Sequence, residues 1–374
     1  MLKFRNIVFI ISVMVFMPGI RGGAQTFELE GQLSGWMTIN PNQSFKTQVG
    51  LRYIPVLSIE KSISEKYSID TEISLNTYGA GLIHTFDNID TDGKVKPYRM
   101  WLRFSSSQFE VRLGLQKINF GSATFLRPLM WFDSIDPRDP LQLTDGVYGL
   151  LGRYYFLNNT NIWLWGLYGN DRIKGWEYVP SDKKRMEYGG RMQVPFFKGE
   201  IAFSYHHRQI DTSSNNIIPE ERFGLDGKWD IGIGLWFEGA LIHQDVGISQ
   251  LPYRRLISVG LDYTFKLGNG LNVMGEYFIF EASKKTFGTG EGISFSVVSL
   301  SYPLGLFDNI TLMVYYDWAN NEWYRFVNWQ RTFDKWSFYL MGFRNPEQFQ
   351  IYQNQRGNNL FTGMGFQLMA VFNH

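Results

Sequence analysis

The chain has 374 residues, a formal charge of +1 and no cysteine, which excludes a disulfide framework, a cysteine-linked lipid anchor and the concentrated basic face that nucleic acid requires. Aromatic residues make up 17% and glycines number 38, yet after residue 17 no apolar run reaches the length of a membrane helix. That combination points to short alternating strands.

Residues 1–24 read as a cleaved secretory signal peptide: Lys3 and Arg5, an apolar run from Ile7 to Met17, then Pro18, Gly19 and the small residues Gly22, Gly23 and Ala24. Residues 25–374 form the expected mature domain. Losing Lys3, Arg5 and Arg21 with the leader moves the formal charge to roughly −2.

Beyond the leader, apolar residues recur at every second position. The odd positions from Phe45 to Ile59 are mostly apolar, and the even ones include Lys46, Gln48, Arg52 and Ser58. Tyr67, Ile69, Ile73 and Leu75 alternate with Ser68, Asp70, Glu72 and Ser74, and Tyr98 to Phe104 alternates with Arg99, Trp101 and Arg103. Phe109 to Leu115 alternates with Glu110, Arg112, Gly114 and Gln116, and Ile257 to Leu267 with Ser258, Gly260, Asp262 and Lys266. Strand geometry puts successive side chains on opposite faces, so each segment has one apolar face and one small or polar face.

Connections alternate as well. Short ones fall near 61–66, 105–108, 157–160, 196–199, 229–231, 268–270, 304–308 and 333–335. Long ones fall near 79–93, 121–146, 170–185, 211–219, 244–252, 281–291 and 344–361, with the tight Ala319-Asn320-Asn321 turn as an exception. Short turns on one side and long loops on the other predict an all-β transmembrane, antiparallel up-and-down barrel of about 18 strands, with 16 as the alternative. Hydrocarbon offers no hydrogen-bond partners, so such a sheet has to close. The apolar face then meets lipid and the polar face lines a lumen that holds water unless something plugs it. Tyr53, Tyr98, Phe104, Tyr263 and Tyr277 are expected in the interfacial girdles.

The signal peptide, the alternation and the final aromatic strand (Met364, Phe366, Leu368, Ala370, Phe372) resemble Gram-negative outer-membrane porins. The stretch from Arg112 to Asp139, with Arg112, Gly114, Gln116, Ile118, Phe120 and Gly121 followed by Asp133, Asp136, Pro137 and Asp139, is similar to a segment of alginate-export-like barrels. Asn373 and His374 after the terminal aromatic depart from the usual porin ending, which bears on recognition by the barrel-assembly machinery. The resemblance implies a Gram-negative outer-membrane protein in contact with outer-membrane lipid. It implies passive passage of small polar or anionic solutes, including sugars or uronate oligomers. Alternatives are a polysaccharide or oligosaccharide export pore and a plugged structural or adhesion barrel. The first strand begins almost at Phe27, which leaves no plug domain before the barrel and argues against energy-coupled uptake.

Loop 121–146 connects the fifth and sixth strands, where porins place the loop that folds inward. Its composition agrees: Phe125, Leu126, Leu129, Trp131 and Phe132 need cover, and the seventh strand (Ile162, Trp163, Leu164, Trp165, Leu167) is apolar on both faces. The expected pore-lining and constriction residues are Arg99, Arg103, Glu110, Arg112, Gln116, Arg127, Asp133, Asp136, Arg138, Asp139 and Arg153. Two readings stand for the charges: opposed charges that orient solutes, or wall arginines (Arg99, Arg103, Arg112, Arg153) that tie the loop aspartates, Asp145 included, to the wall. Trp101, Trp236 and Tyr315 suit either a sugar track or packing under loops.

Catalytic readings find little support. None of His84, His206, His207, His243 and His374 has the neighbourhood of an outer-membrane phospholipase, and His206 and His207 point to opposite faces of a strand. Asp133, Asp136 and Asp139 lack the spacing of a calcium loop. No enzyme, metal or cofactor is expected.

Overall fold

The computed structural model describes residues 25–41, 47–85, 88–212, 216–245, 251–346 and 361–374. The expected signal peptide and the positions Phe45 and Lys46 lie outside the described residues. Eighteen strands follow in order: β1 (Gln25–Ile39), β2 (Thr47–Ser64), β3 (Tyr67–Thr85), β4 (Asn88–Ser106), β5 (Phe109–Gln116), β6 (Val147–Tyr155), β7 (Asn161–Leu167), β8 (Glu187–Phe196) and β9 (Gly199–Thr212). Then come β10 (Asn216–Asp230), β11 (Gly234–Gln244), β12 (Tyr253–Phe265), β13 (Leu271–Ser283), β14 (Glu291–Pro303), β15 (Asp308–Asp317), β16 (Glu322–Thr332), β17 (Trp336–Arg344) and β18 (Met364–Asn373).

Each strand pairs antiparallel with its neighbours in sequence, and β1 also pairs with β18, from Gln32 opposite Asn373 to Ile39 opposite Phe366. The sheet therefore closes and leaves no edge along its membrane-spanning girth. Past Phe372 the seam continues: the Gly31 N–H donates to the His374 carbonyl (3.1 Å), the His374 N–H donates back (3.0 Å), and the imidazole meets the Tyr53 hydroxyl at 3.0 Å.

Alternation sorts the faces. On β12, Ile257, Val259 and Leu261 are 46–50% exposed outward, whereas Leu256 and Ser258 are 0% exposed. Leu113, Leu150, Leu164, Phe203, Leu225, Tyr277, Val298 and Leu340 continue this outward apolar band around the barrel. So much exposed apolar surface is stable only against hydrocarbon, and the chain spans a membrane with its strands. Long loops of such barrels face outward from the cell and short turns face the periplasm.

Two expectations are corrected. No long loop covers 79–93: β3 continues to Thr85 and β4 starts at Asn88, so a hairpin extends the sheet beyond the apolar band. Its β4 arm shows no apolar face because residues 88–95 are exposed throughout, although Ala80 and Leu82 of the β3 arm are buried. Tyr98 is not in the outer girdle. A register shift between Ser74 and Leu75 inserts a bulge in β4 that turns Tyr98 into the lumen. Tyr53, Tyr263 and Tyr277 do face outward.

Candidate functional site

Loop 117–146 folds into the lumen because its apolar residues find cover only there. Ile118 and Leu126 are fully buried, and Phe120, Phe125, Leu129, Trp131 and Phe132 nearly so. They join one cluster with the inward side chains of β7 and β13–β16. Phe120 stacks on Trp165 at 5.7 Å, Phe132 meets the same ring edge-on at 5.3 Å, and Phe125 meets Tyr315 edge-on at 6.2 Å. Burying each such side chain contributes about 1.5–3 kcal/mol. The two-faced apolar pattern of β7 is explained: Trp165 and Leu167 lie beneath the loop and Leu164 faces lipid.

Apolar contacts leave the loop's backbone donors unanswered, since it has no strand ladder. Two wall carboxylates answer them. Glu238 on β11 accepts the N–H groups of Ala123 (2.9 Å) and Leu129 (2.5 Å). Glu276 on β13 accepts those of Thr124 (2.6 Å), Phe125 (2.9 Å) and Leu126 (3.0 Å), together with the Trp236 indole N–H (3.0 Å). Beside them Asp226 on β10 accepts from the Ser122 hydroxyl at 3.1 Å and pairs with Arg191 on β8. Burying a carboxylate is costly unless donors surround it, and a bare loop backbone is a dense source of donors. Gly121 makes the approach possible: its φ is +102°, and a Cβ there would run into the Glu238 carboxylate.

Asp133 and Asp136 pair inside the loop. Arg127 donates to Asp133 (3.0 Å) and to the Phe120 carbonyl (3.0 Å). Arg138 donates to Asp136 (2.7 Å) and lies over the rings of Phe326 and Phe361. Among the described residues, the wall arginines expected to tie the loop down pair elsewhere. Arg103 pairs with Asp70 (2.7 Å), and Arg153 and Arg112 approach Glu110 at 2.8 and 3.9 Å, all on the wall toward the periplasmic end. Arg99 reaches the loop through the Thr144 carbonyl at 3.0 Å. Gln116 donates to the carbonyls of Arg112 and Gly149. Trp236 and Tyr315 serve as floor beneath the loop.

A second loop, 168–186, also enters. Trp176 stacks on Phe278 across the lumen at 4.8 Å and donates to the Arg127 carbonyl at 2.9 Å. Glu177 accepts from Arg222 (2.8 Å) and Arg208 (2.9 Å), which share Glu220 with Arg254. Gly175, with φ +45°, packs against the Met130 carbonyl so closely that a Cβ would overlap it.

Between the two loops and the inner wall of β1–β6 and β18 lies a cavity of about 1230 Å³, on the long-loop side. Of the expected pore-lining residues it gathers Asp133 and Asp139; Arg52, Asn76, Lys96, Asp145, Arg172 and Gln367 also line it. Lys96 and Arg172 each pair with Asp145 at 2.5 Å. Burial alone would raise the Asp145 carboxyl, but these two cations outweigh it and hold it below the usual aspartate range. At Asp139 burial dominates and pushes the carboxyl up, with the Leu141 N–H and Arg52 opposing. Glu238, Glu276, Asp226, Trp176 and Arg52 were not singled out from sequence. The available signal was an acid standing alone on an otherwise aromatic inward face, as Glu276 does before Phe278 and Phe280.

No protein-family model and no curated protein matches the chain. Solved structures do. OccK5 (OpdH) of Pseudomonas aeruginosa superposes with a TM-score of 0.58 at 12% identity, covering 93% of this chain and 97% of its own. OccAB4 of Acinetobacter baumannii gives 0.58 at 11%, covering 94% and 98%. An anion-selective porin from Comamonas acidovorans gives 0.51 at 9%, covering 94% and 100%. The fold is that of Gram-negative outer-membrane porins. These likenesses do not speak to the narrower alginate-export resemblance.

Proposed function

We propose that the protein is an outer-membrane channel for passive diffusion of small polar or charged solutes, narrowed by the inward loop. One observation carries this reading: the loop is clamped across the lumen by Glu238 and Glu276, and above it a polar cavity of about 1230 Å³ is left along β1–β6 and β18. A loop that served only to plug the barrel would gain nothing from leaving a cavity unfilled along one polar sector of the wall. In that sector Ser34, Thr38, Gln48, Ser74, Asn76 and Gln367 all face inward. The porin fold supports the same reading, as does the neighbour named an anion-selective porin.

The test is single-channel conductance of the refolded protein in a planar bilayer, with the reversal potential under a salt gradient. Steady conductance that increases when residues 125–143 are deleted supports a channel sized by the loop. A folded barrel that never conducts refutes it and favours a plugged structural role.

A further inference from the structure

Arg325 on β16 and Arg344 on β17 stand directly opposite each other across the strand pair, and both are exposed on the outer face of the barrel. Beneath them on that face, Val327 and Leu340 are 39% and 43% exposed and belong to the lipid-facing band. Like charges directly opposite on one face of a sheet repel. Other outward arginines have an acid beside them: Arg255 pairs with Glu281 at 2.7 Å and Arg331 with Asp308 at 3.6 Å. Among the described residues Arg325 and Arg344 have none. Their depth is set by the strand. β17 has 9 residues from Trp336, beside the short turn, to Arg344. That is roughly 26 Å of strand and about 20 Å of height at a tilt of about 40°. An apolar band is about 25 Å tall, so the two arginines lie at its outer margin, level with the outer-leaflet headgroups. Trp323 agrees with this level: it lies 5.8 Å from the Arg325 guanidinium and packs on Tyr316 at 4.6 Å, an aromatic pair of the kind found at the interface.

We propose that Arg325 and Arg344 form a docking site, on the outside of the barrel, for a membrane lipid whose headgroup carries a phosphate monoester. Directly opposed residues have Cβ atoms about 5 Å apart, so both guanidinium forks reach one phosphate, each offering paired N–H donors. Charge selects the ester. Two guanidiniums call for about two negative charges, and a monoester carries about −1.5 to −2 near neutral pH. A diester retains only about one and leaves the repulsion half answered. The acyl chains then lie over Val327, Leu340 and Phe338, and Trp323 packs beside the headgroup. The site is outside the lumen and holds whether or not the barrel conducts.

The test uses the full refolded barrel in neutral detergent, with bound lipid counted by native mass spectrometry. Phosphatidic acid, a monoester, is titrated against phosphatidylglycerol, a diester, and against phosphatidylcholine and inorganic phosphate. Phosphatidic acid should bind at least about tenfold more tightly than phosphatidylglycerol, and inorganic phosphate at the same concentration should not displace it. Arg325→Gln and Arg344→Gln should each weaken that binding at least about tenfold, the loss of a charge-assisted contact. The lysine variants should keep only part of it, because an ammonium lacks the fork. Thermal unfolding supplies a second readout whose sign reverses. Without lipid, either glutamine variant should melt at or above the wild type, since it relieves the repulsion. With phosphatidic acid it should melt below the wild type. Phosphatidylglycerol binding as tightly as phosphatidic acid, or a double glutamine variant that keeps wild-type binding, overturns the site. Inorganic phosphate competing equally well overturns the lipid as its occupant. An oligomer in lipid-free detergent that dissociates in Arg344→Gln assigns the pair to a second copy and overturns the lipid as well.

Discussion

Glu276 offers the sharpest probe of how the inward loop is held. Its two oxygens accept four donors: the N–H groups of Thr124, Phe125 and Leu126 and the Trp236 indole N–H. Glu276→Gln preserves shape but turns one oxygen into an NH₂ that faces donors. About two of the four contacts are lost, and at 1–3 kcal/mol per buried unsatisfied donor the loop loses about 2–6 kcal/mol. The ladder of β13 is untouched, so the cost falls on the loop and not on the barrel. Leu126 and Leu129 still anchor it, which predicts a loosened loop in the single variant and a displaced one in Glu238→Gln/Glu276→Gln. The two carboxylates hold adjacent backbone, so their effects should not add simply. Hydrogen exchange at residues 123–126 should speed up roughly 100-fold in Glu276→Gln, since every 1.4 kcal/mol is tenfold. Single-channel conductance should rise and flicker in the double variant. A double variant with wild-type conductance and unchanged exchange would refute the clamp.

Further outcomes follow from the same contacts. Gly121→Ala meets both a positive φ and the Glu238 carboxylate, so it should free the loop at a cost of about 1–3 kcal/mol, read as raised conductance in a barrel of unchanged circular dichroism. Asp145 is held below its usual value of 3.8, so its pairs with Lys96 and Arg172 contribute fully above that value and are lost as pH falls through the lower folded value. Protease sensitivity of loop 168–186 should therefore increase only in that acid window, and Asp145→Asn should abolish the dependence. Trp176→Ala removes the stack on Phe278 and the bond to the Arg127 carbonyl. A loss of about 3 kcal/mol is expected, read as faster tryptic cleavage at Lys183 and Lys184 with the barrel intact.

Much of this molecule is written in its local pattern. A strand shows its two faces in consecutive residues, so the alternation of Ile257, Val259 and Leu261 with Ser258 and Gly260 suffices to declare one face for lipid and one for the lumen. Eighteen such segments and their unequal connections specify the barrel, and the bulky residues of loop 121–146 can be stable only inside it. The β3–β4 hairpin escaped because its β4 arm, from Asn88 to Val95, is exposed throughout and shows no buried apolar face. Tyr98 escaped because a one-residue bulge reverses every assignment beyond it. Charge pairing was decided only by closure of the barrel. Asp133 and Asp136 turn to Arg127 and Arg138 within their own loop, and the loop backbone is held by Glu238 and Glu276, more than a hundred residues away. Which carboxylate meets which donor depends on how far the loop reaches across the lumen, a distance set by the girth of the closed sheet and by no local stretch of chain.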